Sequence, residues 1–303
     1  MFVTFLNASI KIRKLLLLKR LFSNWVAVIM NLYLKRSLIT CVTRNAHSYQ
    51  VENTLLPLLL TRSKELHFLV EDCLMDPNFL HFVYRGIKIK MQLRENEQNK
   101  LSGDISGIFL NEDYGRLYPL NHYIIDIGAN IADSSIYLAF CGARKVVGLE
   151  PYPYMYKLAT KNVELNQLKD RITIYKGGYG KSGKAKVSIG ETDWGTDIHD
   201  VSDGETIRIY SLQELLSLVN EPNTDLLMKM DCEGCEYNLI DESVDLLRRF
   251  KRVVIEYHYG PNALIRKFQE AGFKVDFTKP ISGYNESASN PYMLQGLIYA
   301  ERL

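Results

Sequence analysis

Aspartate and glutamate are absent from the first 51 residues, which hold eight lysines and arginines. With no acidic side chains to offset them, these cations suit an anionic surface. A membrane-spanning run is lacking in the same region. The longest apolar stretch near the start, Leu21 to Leu34 (LFSNWVAVIMNLYL), has 14 residues and carries Ser23, Asn24 and Asn31, where a bilayer crossing needs about 20. It is flanked by Lys11, Arg13, Lys14, Lys19 and Arg20 on one side and Lys35 and Arg36 on the other. Residues 11–36 are therefore expected either to make a peripheral membrane contact or to pack as an accessory helix. The five cysteines, at 41, 73, 141, 232 and 235, are an odd number without a secretory signal. No disulfide framework is implied, and a reducing cytoplasm is the expected location. No second cysteine pair or closely spaced histidine pair accompanies Cys232 and Cys235, which leaves a four-ligand zinc site incomplete. Two nucleotide signatures are missing as well. The turn after the first strand of the main domain reads GANIAD instead of GxGxxG, which removes room for a pyrophosphate. Gly178 to Lys184 fits GxxxxGK, but Ala185 stands where a P-loop needs Ser or Thr, and KVSI reads as strand. That loop is read as a glycine turn joining two strands.

What remains is a 303-residue chain, 47% apolar, with enough material for one large core or two small ones. Beyond residue 51, twenty-nine lysines and arginines stand against thirty-five acidic residues, a net charge of about −6. Nucleic acid is bound by neutralising its phosphates, so an acidic body argues against it as a partner.

From about residue 121 short β-rich runs alternate with helical periodicity, an α/β pattern. The runs are 122–127, 145–150, 171–176, 225–231, 252–258, 273–278 and 294–300. Seven strands suit one wide sheet. Asp133 and Ser134 offer an N-cap, and Pro153 fits a first helical turn ahead of Met155, Leu158, Ala159 and Val163. Tyr237, Ile240, Val244 and Leu247 have helical spacing after the stretch MDCEGCE, residues 230–236. Earlier in the chain, a helix over about 54–75 and a basic hairpin over 81–93 make up an accessory region. The domain reading is a basic apolar segment over 1–50, an accessory or cap region over 51–118, and the α/β domain over 119–303.

MDCEGCE has three readings: a thiol site, a metal site, or a carboxylate site. A CxxC pair between strand and helix is the setting of a redox pair. Against it, Asp231, Glu233 and Glu236 crowd the sulfurs with negative charge and oppose thiolate formation. The cysteines are therefore read as bystander thiols. In the first strand, Asp126-Ile-Gly128-Ala-Asn130 opens a helix, and Glu150 closes the next strand 22 residues after Gly128. A glycine turn plus an acid at the second strand's end suits an adenosine-type ligand whose ribose hydroxyls the acid accepts. Asp126 suits a cationic amino acid moiety. Ribose, no phosphate and positive charge together describe S-adenosylmethionine; the alternative is a plain structural turn.

IIDIGANIADSSIYLAF, VVGLEPYP, KNVELN, KMDCEGCEYNLI and VVIEYHYG resemble the FkbM-type S-adenosylmethionine-dependent methyltransferases, in an archaeal-like branch, over roughly residues 120–280. The resemblance implies a class I methyltransferase fold, Rossmann-like, with a seven-stranded sheet whose last strand is antiparallel. It implies O-methyl transfer to a hydroxyl of a sugar, glycan or related small molecule. Carried over by motif, Asp126, Gly128, Asn130, Ser134, Glu150, Pro151 and Gly178 would face the cofactor. Asp231, Glu233 and Glu236 would sit at the catalytic edge; the positions of the strand ends make Asp231, Glu233 and His258 the catalytic candidates, with Asp231 or His258 as general base and Glu236 read as first-turn compensation of a helix dipole. Ala132 departs from the family pattern, which has glycine there. The carboxylates could also hold magnesium or calcium, though the sequence requires no metal. Charge pattern and resemblance point to a neutral, hydroxyl-rich acceptor such as a lipid-linked sugar, with Trp194 and Tyr284 as candidate stacking surfaces. A non-catalytic cofactor-binding scaffold of the same fold and a CxxC redox protein are the competing readings.

Overall fold

A computed structural model of the chain describes residues 18–19, 22–42, 48–52, 75–76, 79–93, 105, 107–109, 111–187, 204–221, 224–284, 290 and 292–302. It divides into two compact units, Met1–Asn111 and Glu112–Leu303. In the first, the apolar stretch forms the helix Trp25–Tyr33. Val28 and Leu18 are buried with Ile39 and Cys41 of strand β1 (Leu38–Val42), which pairs antiparallel with β2 (Ser48–Glu52). Asn24 explains the polar break in that stretch: its amide donates to the Thr40 carbonyl at 2.8 Å and accepts from the Val42 amide at 2.8 Å. The opposite face exposes Val26, Met30, Tyr33 and Leu34. Following β3 (Met75–Asp76), the expected hairpin is β4 (Phe79–Tyr84) and β5 (Ile87–Gln92), turned by Arg85 and Gly86 at positive φ, the two-residue geometry that matches strand twist. The helix expected over 54–75 lies, apart from Met75, outside the described residues, as does Trp194.

The second unit is built on one sheet. Its strands are β6 (Tyr123–Ile127), β7 (Lys145–Glu150), β8 (Ile172–Tyr179), β9 (Gly183–Val187), β10 (Glu205–Tyr210), β11 (Leu226–Met230), β12 (Phe250–Tyr257), β13 (Phe273–Phe277), β14 (Ile281–Tyr284) and β15 (Tyr292–Arg302). The order is β13-β15-β12-β11-β6-β7-β8-β10-β9, with β14 on β15. Strands β6, β7, β8, β11 and β12 run parallel, and β15 is antiparallel to β12 and β13. This is the class I methyltransferase arrangement: all seven expected strands are present and the last of them is reversed, while β9, β10 and β14 bring the sheet to ten strands where seven were expected. Every residue of β6 and β11 is buried, as befits central parallel strands covered on both faces. The chain leaves β6 toward β7 on one side and later returns to β11 on the other, so the strand order reverses between β6 and β11. Ligands bind at such switch points, at the strands' C-terminal ends.

Several local expectations are corrected. Helix Pro153–Leu165 starts at its proline and buries Met155, Leu158, Ala159 and Val163 as read, but helix Asp133–Phe140 is capped by Ala132 in the left-handed region, without a side-chain cap from Asp133 or Ser134. The helix expected after MDCEGCE is a 3-10 run, Cys235–Asp241, followed by a short helix, Val244–Leu247, that Ser243 caps. Strand β8 continues through Gly177 and Gly178 to pair with β10; a side chain at Gly177 would meet the Arg208 carbonyl at 2.6 Å. The sequence reading also omitted helix Leu212–Val219, which begins with a capping box between Ser211 and Glu214 and buries Leu212, Leu215, Leu216 and Val219. Helix Asn262–Glu270 buries Leu264 and Phe268 in the main core. Truncating Phe268 to alanine should cost about 3–5 kcal/mol.

Candidate active site

Two clusters meet where β6 and β11 end. The first is the turn after β6. Gly128 has φ 78°, and a Cβ there would lie 1.7 Å from the Asp231 carbonyl oxygen. Only glycine lets this turn approach the end of β11 so closely. The Asp231 amide in return donates to the Ile127 carbonyl at 3.0 Å. Asn130 and Ala132 are also left-handed, with φ 50° and 67°, and for alanine this costs about 1–2 kcal/mol. The surroundings hold the shape. Glu150, 4% exposed, accepts from the Asn130 amide at 2.8 Å and the Tyr152 amide at 3.0 Å, while Asn162 donates to the Ile131 carbonyl at 2.9 Å.

Behind the turn, Asp126 and Lys229 are register partners on adjacent strands, the one charged residue in each. The Lys229 ammonium lies 3.1 Å from Asp126 Oδ1 and donates to the Gly128 carbonyl at 2.7 Å. Oδ1 has no partner of hydrogen-bond geometry, so the contact is coulombic. Oδ2 accepts from the hydroxyls of Ser134 at 2.7 Å and Ser135 at 2.5 Å. Burial opposes the lysine's charge, but Asp126, Asp231 and Asp133 outweigh it and raise its pKa. Burial lifts Asp133 to about 6, against the pull of Lys229.

The second cluster is the rim at the ends of β11 and β12. Asp231 and Glu233 are about one-third exposed, whereas His258 and Glu236 are buried. Glu236 Oε1 accepts from the His258 amide at 3.0 Å and from Nδ1 at 2.9 Å, and Oε2 accepts from the Gly234 amide at 2.8 Å. His258 Nε2 faces Glu233 Oε2 at 3.3 Å and Asp231 Oδ1 at 3.8 Å. Burial works against the imidazolium, but the hydrogen bond and charge of Glu236, with Glu233 and Asp231, raise its pKa to about 10. At neutral pH His258 is a cation without a lone pair to accept a proton. Burial first, then Asp231, raises Glu256 on β12, and burial with the neighbouring acids keeps the Tyr114 phenol protonated 3.5 Å from Asp231 Oδ2.

Cys232 and Cys235 are joined by a disulfide, which corrects the reading of bystander thiols. Charge crowding opposes a thiolate, but a disulfide carries no charge and is not subject to that argument. The bond ties a turn whose middle residues, Glu233 and Gly234, have φ 56° and 121°.

Asp126, Gly128, Asn130, Ser134 and Glu150 thus share the turn cluster, and Asp231, Glu233 and His258 share the rim. Pro151 follows the end of β7, and Gly178 lies one residue short of the end of β8. Sequence reasoning missed Lys229, Asp133, Tyr114 and Glu256 as site residues. For Lys229 a signal existed: a lone lysine inside the apolar run LLMKM.

Residues 126–275 match the family model described as methyltransferase FkbM domain. The chain carries an FkbM methyltransferase domain. Among solved structures, a transferase from Pyrococcus horikoshii is 14% identical, covering 84% of this chain and 88% of that one, with a TM-score of 0.40. TYW2 of M. jannaschii, solved in complex with AdoMet, is 15% identical, covering 76% and 89%, with a TM-score of 0.38. Precorrin-6y C5,15-methyltransferase from Geobacter metallireducens is 14% identical, covering 64% and 87%, with a TM-score of 0.38. Among curated proteins, heavy metal-associated isoprenylated plant protein 21 of Arabidopsis thaliana is 26% identical over 83 residues, 25% of this chain. The chain spans about half the length of that relative, 48%. Both clusters fall within the matched residues except for Tyr114.

Proposed function

We propose that this FkbM domain transfers a methyl group from S-adenosylmethionine to a hydroxyl oxygen of a neutral, hydroxyl-rich acceptor such as a sugar or glycan. The observation that carries this reading is the charge at the switch point. Among the described residues, Asp126, Asp133, Asp231, Glu233, Glu236 and Glu256 interact there with two cations, Lys229 and His258. An acidic excess attracts the donor's sulfonium and ammonium groups and repels an anionic acceptor. In this assignment Asn130, Ser134, Pro151 and Gly178 border the cofactor, and the Glu150 carboxylate accepts from the ribose hydroxyls. Asp126 and Gly128 hold the turn that forms the pocket.

Transfer is a single displacement. The acceptor oxygen bonds to the methyl carbon as the carbon–sulfur bond breaks, the sulfonium becomes a neutral thioether, and the hydroxyl proton passes to a carboxylate. His258 is already protonated, so the base is Asp231, with Glu233 beside it and His258 stabilising the charged pair. Positioning supplies much of the rate, and the base about 10²- to 10⁴-fold. Ala132, the residue that favours a scaffold without turnover, keeps the left-handed turn that glycine would make. The exposed side chains of Val26, Met30, Tyr33 and Leu34 support a peripheral membrane contact by the first unit, which binding to anionic vesicles would test.

The experiment is labelled methyl transfer from S-adenosylmethionine to paired neutral and phosphorylated forms of the same sugars. Label should enter the neutral sugars and be released as a methyl ether. Preference for the phosphorylated forms, or label on nitrogen, would contradict the reading.

A further inference from the structure

We propose that Asp231, Glu233 and His258 form a divalent-cation site, with Glu236 as the carboxylate that orients the histidine. This deepens the transfer reading of the same rim and rests on it for the ion's role. His258 is 1% exposed. Its Nδ1 is taken by Glu236 Oε1, and the same oxygen holds the His258 amide, so the ring is fixed with Nε2 aimed between Glu233 and Asp231. Carboxylates are acceptor-only when ionised, so in the free protein the protonated Nε2 serves the two that line this gap, and a divalent cation would take that proton's place, releasing it to solvent as it binds the ring nitrogen. One ligand atom from each of the three residues lies within 4.8 Å of the others. Ligands about 2.0–2.2 Å from a shared ion at right angles stand about 3 Å apart. The 3.3 Å and 3.8 Å separations at Nε2 are just wider than that, and small movements of Asp231 and Glu233 close the set.

Glu236 completes the arrangement in which a metal-bound histidine donates its other nitrogen to a buried carboxylate. One nitrogen and two carboxylate oxygens favour a first-row ion such as Mn²⁺ over magnesium or calcium, which prefer oxygen alone. The remaining coordination positions fall on the exposed side of Asp231 and Glu233. A hydroxyl bound there would lose its proton more readily, and the proton would pass to a carboxylate oxygen as in the displacement above.

The test is titration of chelator-treated full chain with Mn²⁺, followed by electron paramagnetic resonance without S-adenosylmethionine. One site per chain should fill, and Glu233→Gln should lose it. Glu236→Gln should weaken it about 10- to 100-fold, and Glu164→Gln, an exposed acid on helix Pro153–Leu165, should leave it unchanged. His258→Gln alters a buried residue, so the partly exposed Glu233 carries the test, with circular dichroism confirming the fold. Folded wild type that leaves Mn²⁺ free, or binding that survives Glu233→Gln, would overturn the proposal. A separate S-adenosylmethionine titration separates the two readings: donor binding without Mn²⁺ binding overturns the metal site alone, and Mn²⁺ binding without donor binding upholds the site while removing the transfer role.

Discussion

Asp126–Lys229 and His258 with its three acids both set a cation among carboxylates near the C-terminal ends of neighbouring strands, yet one is closed and the other open. Lys229 and Asp126 are 2% and 0% exposed, with two serine hydroxyls on Asp126 Oδ2 and the Gly128 carbonyl on the ammonium. His258 is as deeply buried, but Asp231 and Glu233 on its outer side are 30% and 29% exposed. A closed cluster orders the backbone around it. An open one keeps charge available to a visitor while its inner partner, here Glu236, holds it in place. In the proposed transfer the rim is the part that meets the acceptor, and the buried pair fixes the geometry on which the rim stands.

The comparison can be broken at either end. The largest effect is expected from Asp231→Asn, which should lower the rate of methyl transfer about 10²- to 10⁴-fold with little change in donor affinity or melting temperature, read by single-turnover kinetics and calorimetry. Lys229→Met should do the reverse. By leaving Asp126 buried without its counter-charge it should destabilise the fold by about 3–5 kcal/mol, measured by urea unfolding.

A smaller effect distinguishes the two clusters by pH. The pKa of His258 is raised from 6.5 to about 10 in the folded chain, so folding binds a proton between those values. Its contribution to stability is complete below about 6.5 and lost as pH rises toward 10. With chelator present, the melting temperature should fall across that window, and less in a folded His258→Gln variant. The smallest effect is Ala132→Gly, which relieves a left-handed alanine and should stabilise the chain by about 1 kcal/mol. Destabilisation instead would mean that the buried methyl group, 0% exposed, packs better than the backbone strains.

Much of this architecture is legible before the fold is known. The central strands read as continuous apolar runs because a parallel sheet is covered on both faces. Strands toward the β9 edge of the sheet, GKAKV at the edge and ETIRIY next to it, carry too much polar surface to stand out. Within the site, DIGAN, Glu150 and Asp231 were visible as local motifs next to strand ends. The pairing of Asp126 with Lys229 was not, because the residues are 103 positions apart and only register brings them together. Nor was the bond from Glu236 to His258, 22 residues away, whose effect is to turn a candidate base into a cation. The disulfide escaped because reasoning about thiolate charge says nothing about the oxidised form.

The central claim is that the edge between β6 and β11 binds S-adenosylmethionine. Calorimetric titration with that donor, beside NAD and ATP, on wild type and Glu150→Ala tests it most directly. Saturable binding of the methyl donor alone, lost in a variant that circular dichroism shows to be folded, is the predicted result. Absence of donor binding by the wild type, or equal binding of NAD or ATP, would contradict the account.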